Sequence, residues 1–380
     1  MAKQPGKKKI TAKRWAGSEE EADYLPDMRK EHKQERKIAS RTDKSKFKKT
    51  DQDQLLAKKV DNKTPPKNTI RGRVLSITAQ GMLVSHDGKE TVCTLKGALK
   101  HKKERSKNLV TVGDFVWFEE LTQGHHEIPG DGIISQVEKR RTVLSRADNL
   151  HKHSQQLIAA NIDCVLITIA VVEPPLKPSL VDRYLIAAEK GGMNAIIVVN
   201  KVDLLESPDC SVDERNLFKA FVEDYKALGY KILCVSADNL TGIEDLRAEM
   251  RDQACVFSGQ SGTGKTSLIN AVTGLNMRTA GMINKTKKGT HTTTTTKLIP
   301  LEGGGFCVDT PGIRSFGMWE LIKGEVVGYF PEMMKIGRHC KFNYCTHTHE
   351  PDCAVLKAVH DGEISIIRYE SYYKLLEEET

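Results

Sequence analysis

The sequence predicts a multidomain α/β protein: a small OB-like β-barrel, then a parallel α/β domain, then a C-terminal helical module. Three observations carry this. Short β-rich runs separated by glycine, lysine and histidine loops fill residues 70–149, and strand and helix patterns alternate over 150–316. From 317 to 380 the β signals fade and a Cys/His cluster precedes a final helical pattern.

Ahead of these regions, residues 1–69 hold 20 Lys+Arg against 11 Asp+Glu, with little apolar periodicity and a linker-like Thr64-Pro65-Pro66-Lys67. With chain totals of 58 and 50, the remainder carries 38 basic and 39 acidic residues, so the net charge of +8 belongs to the arm. A disordered basic arm beside a balanced body is the footprint of nucleic-acid binding, although a merely solvated tail has the same composition.

In the barrel region the strands are expected at 70–77, 82–84, 91–95, 115–119 and 132–137, short and regularly spaced as in an OB fold. The next domain reads as strand 163–172, helix 180–190, strand 194–199, helix 214–228, strand 231–235, helix 243–250 and strand 254–258. A further strand-like segment follows at 305–308, and the last helix is expected at 364–378. The most apolar run, 164–172, is far shorter than the roughly 20 residues of a membrane helix, and the lysine-rich start lacks a signal peptide's apolar stretch. A soluble cytoplasmic monomer with no membrane partner is expected.

Strand 254–258 runs into Gly259-Gln260-Ser261-Gly262-Thr263-Gly264-Lys265-Thr266, a phosphate loop. Its glycines let backbone N–H groups turn inward around phosphates at a helix start, Lys265 reaches the β- and γ-phosphates, and Thr266 binds Mg²⁺. The base is chosen by Asn200-Lys201-Val202-Asp203: the Asp203 carboxylate accepts from guanine N1–H and the 2-amino group, which adenine lacks. Ser236-Ala237 follows the next strand and completes that side of the site.

Asp309-Thr310-Pro311-Gly312 ends the last strand-like segment. It places Asp309 to hold Mg²⁺ through water and the Gly312 N–H near the γ-phosphate. Between the two phosphate motifs, Gly289-Thr290-His291-Thr292-Thr293-Thr294 occupies the position of a switch loop, with Thr292 or Thr293 as the γ-phosphate-sensing ligand of Mg²⁺. After Gly312 stands Ile313, whose aliphatic side chain cannot orient water. Either His291 does so or a partner completes the site; a switch-loop histidine without a chemical role is the alternative. A conventional order puts the phosphate loop first and N-K-x-D near the end. The reversed order here predicts a circularly permuted P-loop GTPase domain.

Of nine cysteines, Cys93, Cys164, Cys210, Cys234, Cys255 and Cys307 lie in apolar or strand-like surroundings and read as core. The others form Cys340-x4-Cys345-x-His347-x5-Cys353, three thiolates and one imidazole in the tetrahedral set of a structural Zn²⁺, with His349 as a rival ligand.

The combination of permuted G motifs, a preceding OB-like module and this Cys/His module resembles the RsgA family of small-ribosomal-subunit biogenesis GTPases. The resemblance covers about residues 70–376, including Asp182-Arg183-Tyr184 and Gly362-Glu363-Ile364-Ser365. It implies hydrolysis of GTP to GDP and phosphate, stimulation by the small ribosomal subunit, and rRNA binding late in assembly. It also implies nucleotide contacts from Gly259 to Ser267 and Asn200 to Asp203, and zinc on Cys340, Cys345, His347 and Cys353. The basic arm departs from the compact family pattern. An RNA-binding scaffold with GTP as a structural ligand is the second reading, supported by Ile313. A small-molecule P-loop enzyme is the third, disfavoured by the barrel, the zinc module and the arm.

Overall fold

The computed structural model describes residues 66–96, 109–121, 131–147, 155–275, 296–309 and 323–378. Residues 1–65 of the basic arm and the expected site residues His291, Thr292, Thr293 and Gly312 lie outside them.

Five strands form the barrel: β1 (Ile70–Ile77), β2 (Met82–His86), β3 (Lys89–Leu95), β4 (Phe115–Glu120) and β5 (Gly132–Val137). They run in the order β1-β2-β3-β5-β4, and β4 pairs back onto β1, so the barrel closes. Alternation along each strand sends Val74, Val84, Cys93, Val116, Phe118 and Ile134 into its interior.

A hairpin of β6 (Val143–Ala147) and β7 (Gln155–Ala160), which the sequence pattern did not suggest, follows the barrel. Buried polar groups fasten it there. The Asn161 side chain donates to the Gly113 carbonyl (3.1 Å) and accepts from the Arg141 N–H (2.9 Å). The fully buried Asp114 receives Arg140 in a two-pronged pair at 2.8 Å each.

The α/β domain runs β8 (Cys164–Ala170), α1 (Pro178–Lys190), β9 (Asn194–Asn200), α2 (Val212–Ala227), β10 (Lys231–Cys234), α3 (Ile243–Met250) and β11 (Ala254–Ser258). It continues with α4 (Lys265–Thr273), β12 (Lys297–Pro300) and β13 (Phe306–Asp309). Strands β10-β9-β8-β11-β13 lie parallel in that order, and β12 returns antiparallel. β8 and β11 are buried at every position because helices cover both faces, which explains their unbroken apolar runs. At the far edge Ser76 of β1 pairs with Lys297 of β12, so one eleven-stranded sheet continues from this domain into the barrel. Helix starts follow local chemistry: Pro178 opens α1, and Ser211 with Glu214 forms a capping box on α2.

The C-terminal module comprises α5 (Lys323–Val326), α6 (Pro331–Gly337), α7 (Ala354–Asp361) and α8 (Ile366–Glu378). Its core of Phe330, Met333, Val355, Ala358, Tyr372 and Leu375 takes in Ile186 of α1, so the module packs directly on the α/β domain. No helix among the described residues is long and apolar enough to cross a membrane.

Candidate functional site: nucleotide loops and a Cys/His centre

Parallel strands deliver their following loops to one edge of the sheet. β8 and β11 align Ile167 with Ser258, β8 and β9 align Ala170 with Asn200, and β9 and β10 align Val199 with Cys234. Val308 pairs with Val256, so Asp309 ends β13 near the end of β11. The glycine loop, Asn200 to Asp203, Ser236-Ala237 and Asp309 therefore share this edge, in spite of their order in the chain.

Two glycines in the loop after β11 are required by space as well as by angle. Gly259 has φ 153°, and a Cβ there would sit 2.0 Å from the Thr168 carbonyl; Gly264 has φ 84°, and its Cβ would meet Asn200 Nδ2 at 2.3 Å. Gly264 starts α4 without a side-chain cap, leaving the amides of that turn for another acceptor. The Lys265 ammonium donates to the Gly259 (2.8 Å) and Gln260 (2.7 Å) carbonyls, arching over the loop, and Thr263 Oγ1 donates to Gln260 O (3.0 Å). Ser261 is exposed at the turn of the loop, and Thr266 and Ser267 follow on the first turn of α4.

Asn200 joins the two halves of the site. Its Nδ2 donates to Thr263 O (2.8 Å) and its Oδ1 accepts from the Ala237 N–H (3.1 Å), with the side chain 1% exposed. Lys201 takes a left-handed backbone, and its ammonium donates to the Glu173 carbonyl. Ser236 Oγ accepts from the Asp238 and Asn239 N–H groups, shaping the loop after β10. Asp203, in the short 3₁₀ turn Val202–Glu206, has a buried Oδ1 with no hydrogen-bond partner. A buried carboxylate oxygen left in this way is costly unless a donor completes it, which is the fit expected for a guanine edge. Burial raises the pKa of the Asp309 carboxyl, with Lys297 pulling the other way, and a divalent cation would offset that burial.

The close approach of the two loops makes a prediction. Gly264→Ala must push Asn200 off Thr263 and adopt an unfavourable φ. About a ten-fold or greater loss of GDP affinity is expected, read by titration with a fluorescent GDP analogue.

In the C-terminal module, ligand atoms of Cys340, Cys345, His347 and Cys353 lie within 4.8 Å of one another. Cys340 Sγ is 3.6 Å from His347 Nδ1 and 3.8 Å from Cys353 Sγ, and Cys353 Sγ is 3.4 Å from His347 Nδ1. A tetrahedral zinc with its usual bond lengths sets such edges at about 3.5–3.8 Å, so the cluster fits that ion. The exposed His349 instead bonds Thr348 Oγ1 through Nδ1 (2.8 Å) and stands outside the cluster.

The surroundings hold this geometry. Glu350 accepts from the Thr346 N–H and hydroxyl (2.6 Å each) and the Thr348 N–H (3.1 Å). Burial would raise its pKa, but those bonds outweigh it and hold the carboxyl down at about 2. From α8, the Tyr369 hydroxyl donates to His347 O (3.0 Å) and the Tyr372 hydroxyl to Thr346 O (2.7 Å).

Sequence reasoning missed a buried polar joint between module and α/β domain. Arg368 of α8, 1% exposed, bonds Glu332 Oε1 of α6 (2.7 Å) and Asp182 Oδ1 of α1. Asp182 lies in the Asp182-Arg183-Tyr184 stretch noted for its resemblance alone; no local pattern pairs it with an arginine 186 residues away.

A domain-family profile described as RsgA GTPase matches residues 137–319. The small ribosomal subunit biogenesis GTPase RsgA of Chlorobaculum tepidum is 39% identical over 318 residues, spanning 82% of this chain and 98% of that protein. Among solved structures, YjeQ from Thermotoga maritima matches with a TM-score of 0.62 at 30% identity, over 82% of this chain and 98% of that one. YloQ, described as a circularly permuted GTPase, matches with a TM-score of 0.61 at 25% identity, over 82% and 95%.

Proposed function

This chain belongs to the RsgA family of GTPases, and from that premise we propose that it hydrolyses GTP on the small ribosomal subunit, binding rRNA during late assembly. The observation that carries the GTP reading is the partnerless Asp203 Oδ1 beside a loop that Asn200 ties to the glycine cradle. In this reading Asn200, Lys201, Val202 and Asp203 with Ser236 and Ala237 hold the base. Gly259, Gln260, Ser261, Gly262, Thr263, Gly264, Lys265, Thr266 and Ser267 hold the phosphates, and Gly312 meets the γ-phosphate.

Thr266 and Asp309 are the residues that would hold Mg²⁺, which neutralises charge on the transferred phosphoryl group. Lys265 brings its own charge to that group from the loop carbonyls it now bonds. Thr292 or Thr293 senses the γ-phosphate, and His291, or a partner that completes the site, orients the attacking water, which Ile313 cannot do. Lys265→Ala is expected to lower turnover about 10²-fold or more, the scale for losing one preorganised donor in a transition state; single-turnover phosphate release measures it. His291→Ala with unchanged stimulated turnover would remove that histidine's role.

The Cys/His cluster holds one structural Zn²⁺ in this reading, and metal analysis of the purified protein tests it. The protein works as a cytoplasmic monomer, its basic N-terminal arm adding charge for rRNA. Phosphate release from GTP, with and without purified small subunits and with ATP as control, tests the whole reading. Stimulation specific to GTP and to the small subunit supports it. Slow hydrolysis indifferent to subunits would favour a scaffold in which GTP is structural.

A further inference from the structure

The Arg368 guanidinium is buried in an expensive way. It lies over Phe330 (4.3 Å), Tyr225 (5.1 Å) and Tyr230 (5.9 Å), bonds Glu332 and Asp182, and leaves its second terminal nitrogen, like Glu332 Oε2, buried without a partner. Asp182, also 1% exposed, accepts in addition from the Tyr225 hydroxyl of α2 (2.8 Å). Burial works against the charged guanidinium, but the carboxylates of Asp182 and Glu332 overcome it and raise its pKa. A buried ion pair with unsatisfied atoms is weak support for stability, because an apolar joint of the same volume does as well or better. What such a pair does supply is one fixed geometry.

That geometry leads to the nucleotide loops from one side and to the metal cluster from the other. Asp182 is on the first turns of α1, which begins at Pro178 just after the β8–α1 loop. In that loop the Glu173 carbonyl receives the Lys201 ammonium, and Pro174 Cδ is 3.5 Å from the position of a Cβ on Gly262. The residue after Arg368 is Tyr369, which with Tyr372 grips the backbone between Cys345 and Thr348. A second clasp sits just before the same helix, where the Ser365 hydroxyl donates to Asp224 of α2.

We infer that the Asp182–Arg368 pair is a positioning device: it sets α1, and through it the loop that borders Lys201 and Gly262, according to the placement of the metal module. The inference rests on the nucleotide-binding reading above. It makes the metal module a determinant of how fast nucleotide leaves, in a protein whose motifs for the two lie far apart in sequence.

The test uses the full-length, metal-loaded protein and a fluorescent GDP analogue, well below the melting temperature. The single variants Asp182→Asn and Arg368→Met each strand a buried charge and are expected to be unstable. The double variant Asp182→Asn/Arg368→Met, made in a Glu332→Gln background so that no buried carboxylate is left stranded, removes the charges of the joint and is expected to fold, as judged by circular dichroism and melting. In that folded double variant we expect GDP to dissociate about three- to thirty-fold faster, the usual range for coupling through packed networks. Stripping the metal should speed release from the parent protein and leave the double variant unchanged. Arg368→Lys, which keeps the charge but not the fork, should fall between the two. Release within two-fold of the parent from a folded double variant overturns the proposal. So does a double variant too unstable to assay, since the pair would then serve the fold alone. Failure of the parent itself to bind GDP in preference to ADP would instead overturn the nucleotide reading, and the two failures are distinct.

Discussion

Asp203→Asn should lower affinity for GDP and GTP by about 10²–10⁴-fold. The carboxylate offers charge-assisted acceptors to guanine N1–H and the 2-amino group, and each such bond contributes roughly 1.5–3 kcal/mol. The Asn amide keeps one acceptor and turns an N–H₂ donor toward the 2-amino group, where two donors now face each other. Xanthine carries a carbonyl at that position, so the same variant should bind the xanthine nucleotide more tightly than the parent does. Because Asp203 Oδ1 bonds nothing within the protein, that atom's replacement removes no intramolecular hydrogen bond and the fold should survive. Competition of GDP and xanthosine diphosphate against a fluorescent GDP measures both effects. GDP affinity within three-fold of the parent would place guanine recognition elsewhere.

The strands that frame this site were legible because burial on both faces writes a simple signal. β11 and α3 occur at the residues expected, and β8 and β9 differ from expectation by a residue or two at their ends. β1 and β5 of the barrel are likewise matched end to end, although β1 buries Val74 in the barrel and Leu75 in the core of the α/β domain instead of alternating with a single buried face. β6 and β7 were not anticipated: Gln155-Gln156 and Ser145-Arg146 interrupt any apolar period, and the hairpin is fixed by bonds distant in sequence, from Asn161 to Gly113 and from Arg140, just before β6, to Asp114. β12, of four residues, exists as a strand because β13 and β1 flank it. α6 and α7 are too short to form alone and draw their helicity from the module's core.

Candidate site residues were legible where backbone geometry forces residue type. Only glycine fits at 259 and 264, and the Asn200 amide must reach both Thr263 and Ala237, so the motifs keep their spacing in any chain order. The Cys340, Cys345, His347 and Cys353 cluster was legible for the same reason, since a tetrahedral centre would need those atoms at those separations. The Arg368–Asp182 joint carries no such signal. An isolated arginine and an isolated aspartate look like surface residues until the packing of α8 on α1 buries them together.

In the zinc-site reading, removing the metal should produce the largest structural effect, and a local one. Burial raises the thiols of Cys345 and Cys353, so without a metal they favour the neutral form and the cluster is held only by weak thiol and imidazole contacts. Residues 338–353 contain no helix or strand; their path between α6 and α7 depends on the four ligands, on Glu350 and on two tyrosine hydroxyls. Cys353 also caps α7, accepting from the Leu356 N–H (3.5 Å). Structural zinc commonly supplies about 10 kcal/mol or more of apparent binding energy, which exceeds what a module of three short helices and one longer one holds in reserve. Chelation, or Cys340→Ser, should therefore open α6 and α7 and loosen α8, while β8 and β11, enclosed by helices on both faces, stay protected. Hydrogen exchange followed by mass spectrometry reads both regions in one experiment. Unchanged protection across α6 to α8 in verified metal-free protein would mean that the Phe330, Met333 and Tyr372 core holds the module unaided. The metal would then be needed only to fix the outer loop.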